Sequence, residues 1–191
     1  HISWYQLTIE PNTYIYSYPP NIPEDKILHT IYERGIEVLE NNGYSQYEVS
    51  AFAQKSKNSS HNCNYWNFGD YIGIGAGAHG KLTIPIDNKL VRSRKIKQPA
   101  NYMNKTQSEV TQLNEILIEE RTVEFLMNAL RLRKGFSRHL FEKRTGIEFG
   151  EISKKLTTLI ENELIQMKNI NGESFYSATR TGYRFLDTLL G

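Results

Sequence analysis

The residues from 61 to 80, His-Asn-Cys-Asn-Tyr-Trp-Asn-Phe-Gly-Asp-Tyr-Ile-Gly-Ile-Gly-Ala-Gly-Ala-His-Gly, concentrate the side chains that do chemistry: two imidazoles, a thiol, large aromatics and a run of glycines. Gly75-Ala-Gly77-Ala-His-Gly80 spells G-x-G-x-x-G, the fingerprint that sets a pyrophosphate on the N-terminus of a helix directly after it. The next residues are Lys81-Leu-Thr-Ile-Pro-Ile86, whose β-branched side chains and proline argue against that helix. Two readings remain. In one, Tyr71-Ile-Gly-Ile74 runs out of a buried strand and the glycines bare the backbone for a flat or bulky ligand. His61, His79 and Trp66 around such a cleft suit a porphyrin, which takes stacking surfaces and an axial nitrogen. In the other, the glycines serve tight packing of a strand against its neighbour.

The elements that position this segment divide the chain. A β-like run over residues 1–9 begins directly at His1, which predicts a cut through a domain. Prolines and Asn12-Thr13 mark a loop over 10–20, and Pro23-Glu24-Asp25 opens a helix whose apolar spacing runs to Asn42-Gly43. Residues 44–52 read as another strand. Strand, helix, strand is a βαβ unit, which predicts an α/β fold with a parallel sheet. From Asn114, taken as a cap, a helix is expected to about residue 132. Shorter helices come next over 137–144 and 150–162, then a hairpin over 164–178 turning at Asn171-Gly172, and a last helix over 181–190. Three helices and a hairpin make a winged-helix-like α+β module.

Composition bounds the rest. Hydrophobic residues at 39% and charged residues at 23% are ordinary for a folded globular protein and argue against disorder. No apolar run approaches the roughly 18–20 residues that cross a bilayer. One cysteine, Cys63, excludes internal disulfides and any multi-cysteine metal site built from this chain alone, and cytoplasm is the expected compartment. Residues 1–80 carry four Lys/Arg and eight Asp/Glu, whereas 81–191 carry nineteen and thirteen, in keeping with two domains. Seven bases against Asp87 over 81–105 read as a solvated linker surface. In the winged-helix module, Lys154 and Lys155 are balanced by Glu151 and Glu161, so no nucleic-acid partner is expected.

His61-Asn62-Cys63-Asn64-Tyr65-Trp66 fits the pattern H-N-x-x-Y-W, and the chain resembles the HemW family of radical-SAM heme chaperones, relatives of oxygen-independent coproporphyrinogen III oxidase. The likeness covers nearly the whole chain, including the run from His1 to Pro11, Tyr47-Glu-Val-Ser50, Gly69 to Gly80 and the terminal module. It implies that residues 1–105 are the C-terminal part of a (β/α) radical-SAM barrel plus a basic connecting segment. Residues 106–191 would be the winged-helix-like HemN C-terminal domain.

The same resemblance implies heme as ligand, with His61 the leading axial ligand and Asn62, Tyr65, Trp66 and His79 at the heme site or barrel mouth. Gln6, Thr8, Gly75 and Gly77 would belong to the S-adenosylmethionine pocket. Cys63 falls at a variable position of the pattern, and Ser59 and Ser60 stand where the family commonly has a cysteine. The three cysteines of a 4Fe-4S cluster are expected N-terminal to His1 in a longer parent, so this chain alone is predicted to do no radical chemistry. Implied partners are heme, heme-accepting proteins such as respiratory enzymes, and the missing half of the barrel. A homodimer or peripheral membrane contact is compatible with the sequence. The alternative is a fragment of a coproporphyrinogen III oxidase, a group that generally lacks H-N-x-x-Y-W.

Overall fold

The computed structural model describes residues 1–184 and Leu186. The chain divides into two compact units, residues 1–59 and 60–191.

In the first unit, β1 (Ile2–Ser3) is followed by the single-turn α1 (Tyr14–Ser17), α2 (Asp25–Asn41), β2 (Ser45–Glu48) and β3 (Ala51–Ala53). The expected strand over 1–9 shrinks to two residues because its partner, β3, is only three residues long. One further bond, from Trp4 N–H to the Ser50 carbonyl at 2.8 Å, ends the pairing. Residues 44–52 are likewise not one strand: the chain reverses at Val49-Ser50, so β2 and β3 form a hairpin with a bulge between Gln46 and Glu48.

The sheet order is β1-β3-β2, and both neighbours of β3 run antiparallel to it. Strands β1 and β2 therefore point the same way, as a βαβ unit demands, but β3 lies between them and no parallel pair forms. Helix α2 packs on this sheet through Gly35, where an added Cβ would fall 1.7 Å from the Trp4 ring. The Trp4 ring in turn stacks on Tyr32 at 5.9 Å and leans on buried Phe52 at 6.1 Å.

The second unit begins with α3 (Ser60–Trp66) and continues with β4 (His79–Ile84) and β5 (Lys89–Lys95). It goes on through α4 (Pro99–Asn104), α5 (Gln107–Val110), β6 (Thr111–Glu115) and α6 (Ile118–Ala129). Residues 71–74 are not a buried strand. They touch β4 through one isolated bridge, Tyr71 to Lys81, and Ile72 and Ile74 are 77% and 86% exposed. The basic stretch 81–105 folds as most of the β4–β5 hairpin and α4. Its Lys81 and Lys95 are buried with their ammonium groups received, Lys81 by Asp70 and the Phe68 carbonyl and Lys95 by the Thr111 hydroxyl.

Asn114 caps nothing. It pairs with Arg92 in the antiparallel β5–β6 ladder, which continues to a 2.8 Å bond from Ile116 N–H to the Leu90 carbonyl. The helix starts only at Ile118, where the Glu120 carboxylate accepts from Leu117 N–H at 3.3 Å.

The remaining elements are β7 (Phe136–Ser137), α7 (Arg138–Thr145), α8 (Gly150–Glu161), β8 (Ile165–Ile170), β9 (Glu173–Ala178) and α9 (Arg180–Arg184). The expected last helix is seen as α9; its continuation over 187–190 lies outside the described residues. Ser137 Oγ accepts from Leu140 N–H at 3.3 Å, and Gly146 ends α7 at φ +70°. Asn171 and Gly172, both at positive φ, turn β8 into β9.

The third sheet, ordered β7-β9-β8, accompanies α6, α7 and α8. The core is an aromatic cluster: Phe125 meets Phe136 and Phe141 edge-on at 5.1 and 5.2 Å. Such contacts add about 0.5–1.5 kcal/mol each beyond the area they bury. Phe68, just past α3, joins it at 5.9 Å from Phe125.

Candidate functional site

Helix α3 carries four of the expected site residues, His61, Asn62, Tyr65 and Trp66, on only seven residues. So short a helix of poor formers is not stable by itself and depends on what it packs against. Its C-terminal end is wrapped by Asn64, whose carbonyl accepts from Gly69 N–H at 2.8 Å and whose side-chain amide donates to the Asp70 carbonyl at 2.9 Å. Gly69 is required there: a Cβ would fall 2.0 Å from Asn64 Oδ1. Between them Phe68 takes φ +54°, a strained setting for a bulky residue, compensated by burial of its ring.

His61 is exposed, and its ring meets that of Tyr65, one turn later, at 4.7 Å and 60°. Tyr65 stacks in turn on Tyr71 at 4.2 Å and 34°. Burial first, and the neighbouring Tyr71 second, raise the Tyr65 hydroxyl above its ordinary pKa. The Tyr71 hydroxyl accepts from Arg92 Nη1 at 3.4 Å, while Arg92 Nε donates to Glu124 Oε2 at 3.1 Å and Nη2 pairs closely with the same oxygen. Burial works against the Arg92 charge, but Glu124 outweighs it and holds the guanidinium above its ordinary pKa. Trp66 lies under the Arg131 guanidinium at 4.5 Å, and both Trp66 Nε1 and Arg131 Nε are buried without an acceptor among the described residues.

Behind α3, Lys81 Nζ donates to the Phe68 carbonyl and to Asp70 Oδ1, both at 3.0 Å. Asp70 Oδ2 accepts from Thr83 N–H at 2.9 Å, and Oδ1 from Thr83 Oγ1 at 2.8 Å. Burial alone would raise the Asp70 pKa, but the Thr83 and Lys81 hydrogen bonds prevail and lower it. Burial lowers the Lys81 pKa, with Asp70 opposing.

The glycines have local explanations. A Cβ on Gly73 would lie 2.1 Å from the His79 carbonyl oxygen, and one on Gly80 would lie 2.4 Å from Ser93 Oγ. Both permit close approach of residues 71–73 to the β4–β5 hairpin. Gly75, at φ +101°, donates to the Tyr102 hydroxyl at 3.2 Å, and Gly77, at φ +74°, donates to the Ile96 carbonyl at 2.8 Å. His79 is exposed at the first position of β4, opposite Arg94. Gln6 and Thr8 are exposed in the first unit, beyond the end of β1.

Tyr71, Arg92 and Glu124 escaped the sequence reading, because a single arginine in an alternating strand and a single glutamate in a helix carry no local signal of their pairing. Among the described residues no group of three His, Cys, Asp or Glu is placed to hold a metal ion, and no helix is long and apolar enough to cross a membrane.

A family profile described as HemN C-terminal domain matches residues 118–183. The chain is 39% identical to the heme chaperone HemW of Haemophilus influenzae, over all of this chain and 48% of the relative. It is 40% identical to that of Escherichia coli, again over the whole chain and 48% of the relative. A zebrafish (Danio rerio) mitochondrial radical S-adenosyl methionine domain-containing protein 1 is 33% identical over 74% of this chain and 34% of its own length. In fold the chain is similar to Escherichia coli coproporphyrinogen III oxidase (HemN), a radical SAM enzyme, with a TM-score of 0.57 over 88% of this chain and 41% of that one, at 13% identity. The chain spans about half the length of the HemW relatives it matches. It therefore carries a HemN C-terminal domain at 118–183 and is similar, over its whole length, to about half the length of these HemW relatives.

Proposed function

We propose that the chain is the heme-contacting part of a radical-SAM-family heme chaperone, which binds heme as cargo and passes it to acceptor proteins. The observation that carries this reading is the exposed His61 imidazole set on a stack of two tyrosines, in a chain similar throughout to HemW proteins. An imidazole nitrogen is an axial ligand for heme iron, and aromatic faces beside it suit a flat macrocycle. A ligand exposed on one side also leaves the cargo open to transfer.

In the same reading residues 1–105 are the C-terminal part of a (β/α) barrel with its connecting segment. The same-direction strands β1 and β2 flanking α2 support this. Residues 106–191 are the terminal winged-helix-like module, supported by the element order α6-β7-α7-α8-β8-β9 and the profile match at 118–183. The donor set does not fit a 4Fe-4S cluster: Cys63 is the chain's one cysteine, and it is half-buried on α3. Any cluster belongs to the rest of a longer parent. Gly75 and Gly77 are accounted for by their local turns and hydrogen bonds.

The experiment is to supply the full-length protein, reconstituted with iron and sulfide, with heme and an apo heme protein in one assay and with coproporphyrinogen III in another. Heme binding and transfer without decarboxylation are expected. Robust decarboxylation would overturn the chaperone function in favour of an oxidase.

A further inference from the structure

We infer that Arg92, acting through Tyr71, is a positioning residue for the His61 imidazole, an inference that rests on the heme-binding reading of α3. The contacts that tether helix α3 and the turn after it include Phe68 in the aromatic cluster, Trp66 against Arg131, and Tyr65 against Tyr71. The first two hold the C-terminal end of the helix and the turn after it. The Tyr65–Tyr71 stack instead lies on the face that His61 shares with Tyr65 one turn later.

The Tyr71 backbone is fixed by a pair of 2.9 Å hydrogen bonds with Lys81, which leave its ring free to turn about the side-chain torsions. Its hydroxyl is therefore the second point that fixes the ring, and the donor is Arg92 on the central strand β5. Arg92 is itself pinned from the other side by Glu124 on α6. A guanidinium stays charged across the neutral range, so this anchor does not titrate away. The contacts run Glu124, Arg92, Tyr71, Tyr65, His61. Glu124 lies within residues 118–183, so the HemN C-terminal domain takes part in shaping the heme site.

The test is heme titration of the full-length protein carrying Tyr71→Phe, Arg92→Gln, the double substitution, Tyr71→Ala and His61→Ala, read by both affinity and Soret position. Tyr71→Phe keeps the stack and loses only the hydroxyl, so about a five-fold weakening is expected, as for one lost hydrogen bond. Arg92→Gln should match it, and the double variant should cost no more than the larger single one, because both remove the same contact. Tyr71→Ala should weaken binding about tenfold and move the Soret band toward that of His61→Ala.

Wild-type affinity and spectrum in Tyr71→Ala and Arg92→Gln, with binding lost in His61→Ala, would overturn this inference and leave the heme site standing. Wild-type behaviour in His61→Ala as well would overturn both. Thermal melts separate these outcomes from unfolding, since Tyr71→Phe leaves the packed volume nearly unchanged.

Discussion

Arg121 donates from Nη2 to the Asn88 carbonyl at 2.8 Å, joining the first turn of α6 to the turn between β4 and β5. The same guanidinium, 1% exposed, donates from Nη1 to the Thr145 carbonyl at 3.0 Å and from Nε to the Ile116 carbonyl at 3.2 Å. One side chain therefore satisfies backbone acceptors from the hairpin, from the end of β6 and from the end of α7. Arg121→Met keeps the apolar stem and removes every donor. It should lower stability by about 3 kcal/mol, the cost of leaving buried carbonyls without partners, seen as a lower urea midpoint at unchanged slope.

Asp70 gives the second unit an acid-sensitive contact. Its folded pKa is lowered, so its contribution is fully present above the unfolded value of about 4 and is lost as pH falls through the folded one. Melting temperature should drop over that acidic window, and Asp70→Asn should flatten the drop. An unchanged acid limb in the variant would rule Asp70 out as the titrating group.

Gly73 and Gly75 should respond differently to alanine. At Gly73 the new Cβ meets a backbone carbonyl oxygen at 2.1 Å, which neither partner relieves without moving a chain, and a loss of about 2–3 kcal/mol is expected. At Gly75 nothing lies within 4 Å, so the cost is only that of φ +101°, about 1 kcal/mol. Paired urea denaturation curves measure the difference directly.

Much of the second half of the chain was legible because its boundaries are written in local chemistry: Ser137 caps α7, Gly146 ends it, and Asn171-Gly172 turns the hairpin. Helix α2 was legible for the same reason, from Pro23 to Asn42-Gly43. What escaped depends on long-range pairing. β6 forms because Asn114 finds Arg92 across a ladder, and Lys81 is buried because Asp70 and the Phe68 carbonyl receive it. Neither partner is near in sequence. Of the site, the residue types on α3 were visible, whereas its helical form and the Tyr71–Arg92–Glu124 support were not, since short helices and lone charges show no periodicity.

The most direct measurement is a heme titration of the full-length protein beside its His61→Ala variant, followed by the Soret band. Loss of the imidazole should shift the band and weaken affinity at least about tenfold. An identical spectrum and affinity in the two proteins would contradict the assignment of His61 as the heme ligand.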